Sequence, residues 1–418
     1  MRRTLAPDFI LAADGAHAGL AVTIEDGRIV AIGPATDGER LPGRALAPGF
    51  VNDHSHAFQL DLRGAVERVR PGVDRDDFWT WREEMYAAAE RLNPDTMRRV
   101  AERCYRGMLA AGYTSVTEFH YVHHQPDGGP YPDPNALAKT VAEAAESVGI
   151  RLTLLPTAYA RGGLPLFRDA SVTVVLERVD ALRQWAADRP LLRVGLAAHS
   201  VRAVPRDWLE ALGAYARRHD VVLHMHADEQ PAEIRVCLDE HGLRPIELLA
   251  ETGFLGPQTT VIHATHADDR ELDLLAAHGA GICVCPTTEG NLGDGFLPAE
   301  GVRRRGIRLS IGSDQHVRLD PFEELRELET NARRLAGRRN VLVDDGDDSP
   351  APYLLRAGWR RAALSPGDAA DFIEIDLTHR DGADVAPEHL TAALIFSAGR
   401  DVVAETYVDG VPVYRRDG

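Results

Sequence analysis

Lysine is nearly missing from this chain of 418 residues: Lys139 is the single lysine among 47 basic residues, so chemistry that needs a lysine has one place to come from. Cysteine is scarce as well, with four residues at 104, 237, 283 and 285. They are widely spread or, in Cys283-Val284-Cys285, too close for a usual zinc clip, which excludes a disulfide framework and suits reduced, buried thiols. No apolar run approaches the roughly 20 residues of a membrane span. The short apolar stretch after Arg2 and Arg3 is broken by Pro7 and Asp8, which argues against a targeting segment. Positive charge is also lacking: the formal net charge is −17 and the pI about 5.4. Nucleic acid and anionic membrane are therefore not expected as partners. A small anionic substrate is not excluded, because it needs only local arginines. The chain is expected to be cytoplasmic.

What is present, 44% hydrophobic and 27% charged residues, describes a globular protein with ample core. Segments of β character recur near the N-terminus at 8–13, 21–25 and 28–32, and near the C-terminus at 371–375, 392–397 and 402–413, with Asp409-Gly410 as a hairpin turn. Two β-rich ends around a different middle predict one small β-sandwich domain built from both termini, 1–46 and 370–418, around a catalytic domain at 47–369. In the middle, strand-length apolar runs at 47–52, 115–119, 151–157, 192–198, 221–225, 259–264, 280–284 and 308–312 alternate with helical patterns. Among the latter are 94–111, 134–148, 172–187, 207–218, 232–251 and 320–335. Eight strand–helix repeats are the pattern of an α/β fold of the TIM-like (β/α)8 barrel type. A doubly wound open sheet is the competing architecture, but no GxGxxG turn follows an early strand.

In such barrels, catalytic groups sit at the C-terminal strand ends. Here strand 1 ends in His54-Ser55-His56, strand 4 in His199 followed by Arg202, strand 5 in His224-Met225-His226 followed by Glu229, strand 6 in His263, and strand 8 in Asp314. Residues two apart on a strand share a face, so His54 and His56 can meet one ion. His224 and His226 share a face too; His226, nearer the strand end, reaches further into the mouth. Polar groups at five of eight ends on one face describe a catalytic divalent-metal site with an open position for water. The cluster His120, His123 and His124 reads as substrate-adjacent or solvated loop, and the stretch 288–295 as a Gly-rich turn.

These residues resemble the amidohydrolase superfamily, with HxH on strand 1, His on strands 5 and 6, and Asp on strand 8. The resemblance is closer still to the formimidoylglutamate deiminases, over about 45–340. It is carried by His54-Ser55-His56-Ala57-Phe58-Gln59, Phe78-Trp79-Thr80-Trp81-Arg82-Glu83, Glu118-Phe119-His120-Tyr121, His199-Ser200-Val201-Arg202, His226-Ala227-Asp228-Glu229 and Ile311-Gly312-Ser313-Asp314. Binuclear superfamily members bridge two ions with a carboxylated lysine on strand 4, where this chain has none, so one ion is expected. The segment 340–370 departs from the family, being short where a longer helical region is expected.

The resemblance implies a hydrolase of C–N bonds in amidines, acting in histidine degradation: N-formimino-L-glutamate becomes N-formyl-L-glutamate and ammonia. It implies one divalent ion, expected to be zinc, on His54, His56, His226 and Asp314. Glu229, His263 and Asp314 are the implied catalytic residues. Gln59, Arg82, Tyr121, His199 and Arg202 are the implied substrate contacts, the two arginines facing the carboxylates. Arg82 belongs to an aromatic-rich loop that also reads as a lid or a contact within an expected homodimer. Three alternatives stand beside this assignment: deamination of a nucleobase, nucleoside or other heteroaromatic ring; cleavage of the other C–N bond; and a scaffold without activity.

Overall fold

Strands from the two chain ends combine in one sheet. In the computed structural model, which describes residues 2–35, 38–69, 76–381 and 384–416, the N-terminal strands are β1 (Arg2–Ala12), β2 (Gly15–Ala18), β3 (Leu20–Glu25), β4 (Arg28–Pro34) and β5 (Glu39–Pro48). They share one sheet with β15 (Phe372–Asp376), β16 (Val403–Val408) and β17 (Val411–Arg415). The order is β17-β16-β15-β5-β1-β3-β4, with β2 paired to β1. The ends meet at the antiparallel β5–β15 ladder, where Ile373 faces Ala47. Leu5, Val22, Ile29, Leu46, Phe372 and Tyr407 form a core belonging to this sheet. Asp409 and Gly410 both have positive φ, 48° and 72°, as a two-residue hairpin turn that follows strand twist requires.

The middle of the chain forms a parallel barrel from β6 (Phe50–Ser55), β7 (Tyr113–His120), β8 (Arg151–Ala158), β9 (Leu192–Val194), β10 (Leu196–Ala198), β11 (Leu223–Ala227), β12 (Thr259–His263), β13 (Gly281–Val284) and β14 (Arg308–Ile311). The short β9 and β10 share the fourth strand position: both pair with β8, and β10 continues to β11. The eight strand positions coincide with the eight apolar runs in the sequence. Helices α1 (Phe78–Ala89), α2 (Pro94–Ala110), α3 (Ala136–Val148), α4 (Val172–Trp185), α5 (Arg206–His219), α6 (Pro231–His241) and α7 (Pro245–Glu251) lie between the earlier strands. Later come α8 (Asp269–His278), α9 (Pro286–Leu292), α10 (Ala299–Arg304), α11 (Pro321–Ala336), α12 (Ala351–Trp359) and α13 (Leu390–Phe396). Local chemistry sets several boundaries. Asn93 caps α2 by accepting from the Asp95 and Thr96 amides, and Pro94 occupies its first turn.

β6 and β14 close the barrel without a regular ladder. The amides of Ser313 and Asp314 donate to the His54 carbonyl at 3.2 and 3.0 Å, and the His56 amide donates to the Asp314 carbonyl at 3.2 Å. Gly312 permits that approach, because a Cβ there would lie 2.7 Å from the His54 Cβ and 2.9 Å from its carbonyl oxygen. Among the described residues, no helix is long and apolar enough to cross a membrane.

Several local expectations are corrected. The run 392–397 is helix α13 rather than a strand: Leu390 with Leu394 and Thr391 with Ile395 are buried pairs four apart, a helical spacing that a short apolar run conceals. The pattern at 232–251 divides into α6 and α7, since Gly242 turns left-handed (φ 69°) and Pro245 starts a new helix. The aromatic stretch carrying Arg82 is helix α1, started by an Asp77 capping box, not a loop. The stretch 288–295 contributes to α9 instead of a simple turn. Within 340–370, α12 supplies nine helical residues.

Candidate functional site

Residues from four strand ends meet inside the barrel mouth. His54 and His56 project from the last turns of β6, His226 from β11, His263 from β12, and Asp314 from the segment after β14. The Nε2 atoms of His54 and His226 are 3.1 Å apart. Asp314 Oδ1 lies 3.3 Å from His54 Nε2 and 3.4 Å from His56 Nε2. His224 points instead toward the buried floor group Asp53, which accepts hydrogen bonds from Ser310, Thr117 and Arg360. The face-sharing of His224 and His226 is thus resolved by depth in the barrel.

The protonation pattern follows from the partners. A carbonyl only accepts, so His56 Nδ1 donates to Phe119 O (2.8 Å) and His226 Nδ1 to His199 O (2.9 Å). Their Nε2 atoms then present lone pairs to the same point as the Asp314 carboxylate. Burial, joined by neighbouring imidazoles, holds His54 and His226 well below the usual histidine range; burial lowers His56 as well. Imidazole nitrogens 3.1 Å apart, beside a carboxylate oxygen at 3.3 and 3.4 Å, crowd lone pairs that repel unless a cation lies among them. Ligand atoms at about 2.0 Å from a tetrahedral metal sit about 3.3 Å apart. The donor set therefore fits a divalent metal ion. Lys139 is remote, on α3, where it pairs with Asp133 at 2.6 Å.

A cavity of about 310 Å3 opens above these groups, and Gln59, Arg82, Tyr121, His199, Arg202 and Glu229 line it. Gln59 Nε2 donates to the Tyr121 hydroxyl at 2.9 Å. Arg202 donates from Nη2 to Glu229 at 3.1 Å and lies 3.7 Å from the buried Glu233. Arg82 stacks over Trp79 and Tyr86, with centroid distances of 4.6 and 5.3 Å. Its buried Nε has no hydrogen-bond partner, and it makes no ion pair among the described residues. The side chain lines the cavity of its own chain. Arg161, Gly162 and Trp81, which sequence reasoning passed over, share the wall.

His263 lies behind the centre, its Nε2 3.8 Å from Glu229 Oε1 and 4.0 Å from Asp314 Oδ2. Burial opposes its charge, but Glu229, Glu289 and Asp314 outweigh burial and push its pKa up to about 10. His263 and Asp314 both have positive φ, 71° and 45°, unusual for side chains of this kind and common where a site holds residues under strain.

Two buried carboxylates complete the surroundings and were assigned no role from sequence. Glu118 accepts from Ser55 Oγ (2.6 Å) and the Ala57 amide (2.7 Å), tying down the His54-Ser55-His56 turn; burial raises its pKa to about 7. Glu289 Oε1 accepts from His263 Nδ1 at 3.1 Å. The legible signal for each was a carboxylate beside a strand end, inside an apolar run for Glu118 and four residues beyond Cys285 for Glu289. The cluster 120–124 is neither solvated nor part of the cavity wall as a group. His120 and His123 are buried, His123 bonds the Thr157 carbonyl at 2.9 Å, and burial drives His120 down to about 3. His124 is half-buried and bonds the Arg168 carbonyl at 3.0 Å.

Comparison with known proteins places this geometry in context. The sequence profile described as the amidohydrolase family matches residues 45–350. The formimidoylglutamate deiminase of Pseudomonas aeruginosa is 38% identical over 412 residues, covering 93% of this chain and 89% of that protein. A crystal structure of an amidohydrolase from Brucella melitensis superposes with a TM-score of 0.88 at 32% identity, covering 98% of this chain and 94% of the other. An adenosine deaminase from Xanthomonas campestris, solved with bound zinc, shares the fold at 23% identity and a TM-score of 0.83, covering 98% and 92% of the two chains.

Proposed function

The chain belongs to the amidohydrolase family, and we propose that it hydrolyses N-formimino-L-glutamate to N-formyl-L-glutamate and ammonia. One observation carries the substrate class. The cavity that ends on the histidine–aspartate centre also holds Arg82, a cation with no carboxylate partner among the described residues. A carboxylate-bearing substrate completes that pair, and a neutral heteroaromatic ring does not. The similarity to the Pseudomonas aeruginosa deiminase supports the same choice.

His54, His56, His226 and Asp314 are the residues that hold one divalent ion in this proposal, with zinc as the ion. When bound, such an ion lowers the pKa of water toward about 7. Asp314 takes a proton from the attacking water. The new oxygen adds to the formimino carbon, and the Nε2–H of His263 hydrogen-bonds the charge that develops there. Glu229 carries the second proton of that water from the new hydroxyl to the departing nitrogen of the amidinium, which leaves as ammonia. The carbon keeps oxygen as a formyl group, while the proton on Asp314 passes to solvent. Arg82 grips one substrate carboxylate in a bidentate pair. Arg202 spends Nη2 on Glu229 and Nε on Ser200, so Nη1 is the donor left for the second carboxylate. Gln59, Tyr121 and His199 shape the wall around the glutamate chain.

Nucleoside deamination is the second reading, favoured by the shared fold of the zinc-containing adenosine deaminase. Incubation with N-formimino-L-glutamate, reading ammonia and formylglutamate together, tests the assignment. Equal amounts of both products are expected. Ammonia without formylglutamate, or no turnover beside rapid deamination of adenosine, overturns it.

A further inference from the structure

The geometry points to Glu289 as a positioning residue that fixes the ring of His263 from behind and so decides which nitrogen faces the reacting atoms. This inference rests on the catalytic role proposed for His263 and extends it to a side chain outside the cavity.

An imidazole at the end of a strand can turn over about its Cβ–Cγ bond. That motion exchanges the places of nitrogen and carbon on both edges of the ring. In His263, Nδ1 lies 3.1 Å from Glu289 Oε1, while Nε2 faces Glu229 and Asp314. A carboxylate oxygen in that position demands a donor, so Nδ1 carries a proton whether the ring is neutral or charged. Turning the ring over would set a C–H against the carboxylate and withdraw Nε2 from the centre. A metal-site or triad imidazole is commonly oriented by an acceptor on its far nitrogen in this way.

Glu289 is itself held rigidly. It is 3% exposed, and its Oε1 also accepts the Cys285 amide at 2.9 Å, at the start of the same helix α9. The first turn of α9 is fastened at two further points. Glu324 accepts from the Thr287 amide (3.0 Å) and hydroxyl (2.6 Å), and Thr288 Oγ1 donates to the Ser313 carbonyl at 3.2 Å. Ser313 immediately precedes Asp314. The helix that aims Glu289 at His263 is thereby braced against the segment that presents Asp314, and two groups from different strands are held in one frame.

The test compares Glu289→Ala and Glu289→Gln in the metal-loaded protein. The amide oxygen of glutamine can accept the same Nδ1–H, whereas alanine offers nothing. For Glu289→Ala, kcat is expected to fall by about 10–100-fold with KM within about threefold of wild type, the size usual for a lost orienting partner. Glu289→Gln is expected to stay within about fivefold of wild type in kcat. Proton–nitrogen correlation spectra of protein labelled with 15N-histidine, with the His263 signals assigned through His263→Gln, should show a protonated Nδ1 in wild type and in Glu289→Gln. Wild-type kcat in Glu289→Ala, equal damage by both substitutions, or an unprotonated Nδ1 in the wild-type spectrum overturns the inference. The spectrum needs no variant at position 289, so it decides even if Glu289→Ala does not fold. It also separates the two proposals: a wild-type protein that leaves N-formimino-L-glutamate intact sinks the substrate assignment, while the ring spectrum still judges Glu289.

Discussion

At the scale of single residues, Asp314 carries the most demands. Its Oδ1 faces two imidazoles, its backbone helps to close the barrel, and its φ of 45° is strained. Asp314→Asn keeps the shape and removes the charge that, in the proposed mechanism, balances a cation and accepts a proton. It should lower kcat by about 10²–10⁴-fold, the usual worth of a general base, and reduce bound metal measured by elemental analysis. Unchanged turnover in a folded Asp314→Asn protein would contradict both roles. Arg82 presents the opposite situation, a cation stacked on Trp79 and Tyr86 and lacking an anionic partner among the described residues. Arg82→Met keeps the stacked bulk and loses the charge. A charge-assisted hydrogen bond contributes about 1.5–3 kcal/mol, so KM for N-formimino-L-glutamate should rise by about 10–100-fold. Steady-state kinetics with that substrate provide the check.

At the scale of elements, the His54-Ser55-His56 turn is precise because β7 and the segment after β14 hold it from both sides. Glu118 receives Ser55 and Ala57; Asn52 bonds Ser313, and Ser313 bonds His316 at 2.7 Å. Glu118→Ala leaves two buried donors without an acceptor and frees the turn. Its metal affinity should fall by about 10–100-fold, as measured by competition with a chromogenic chelator. Gly312→Ala attacks the same junction from β14, where a new Cβ meets the His54 backbone at 2.9 Å. Overpacking a close junction costs about 1–3 kcal/mol, so the melting temperature should drop and metal content should fall with it. An alanine protein with the wild-type melting temperature would show that the closure has slack.

At the scale of the molecule, metal retention reports whether the strands have assembled. Stripping the protein with a chelator should abolish turnover and lower the melting temperature, because an ion bound only by the native state stabilises that state. Added zinc should restore both. The buried histidines define the pH limit. Lowered pKa values in His54, His56 and His226 mean that protonation begins below the ordinary value of about 6.5. Protons therefore compete with the ion only in more acid solution. Dialysis at pH 6.0 should leave as much metal per chain as dialysis at pH 7.5, by elemental analysis. Loss of most of the metal at pH 6.0 would mean that these rings titrate as exposed histidines do.

Much of this protein was already determined by its sequence. Strand-length apolar runs alternating with helical patterns located the eight strand positions, and side-chain alternation put His54 beside His56. The absence of lysine from the fourth strand position, set beside the family resemblance, gave the expectation of one ion. These properties are local, set by a few neighbouring residues and by backbone geometry. Short apolar runs such as 392–397 did not reveal their class, because a handful of buried residues satisfies a helix or a strand equally until the surrounding surface is known. Position along the strand already favoured His226 over His224, and the tertiary structure added that His224 lies deeper, beside Asp53. Tertiary structure alone joined Glu118 to Ser55 and Glu289 to His263, across 63 and 26 residues of chain. Those contacts depend on barrel closure, and no local pattern encodes how far a strand slides before it meets its neighbour.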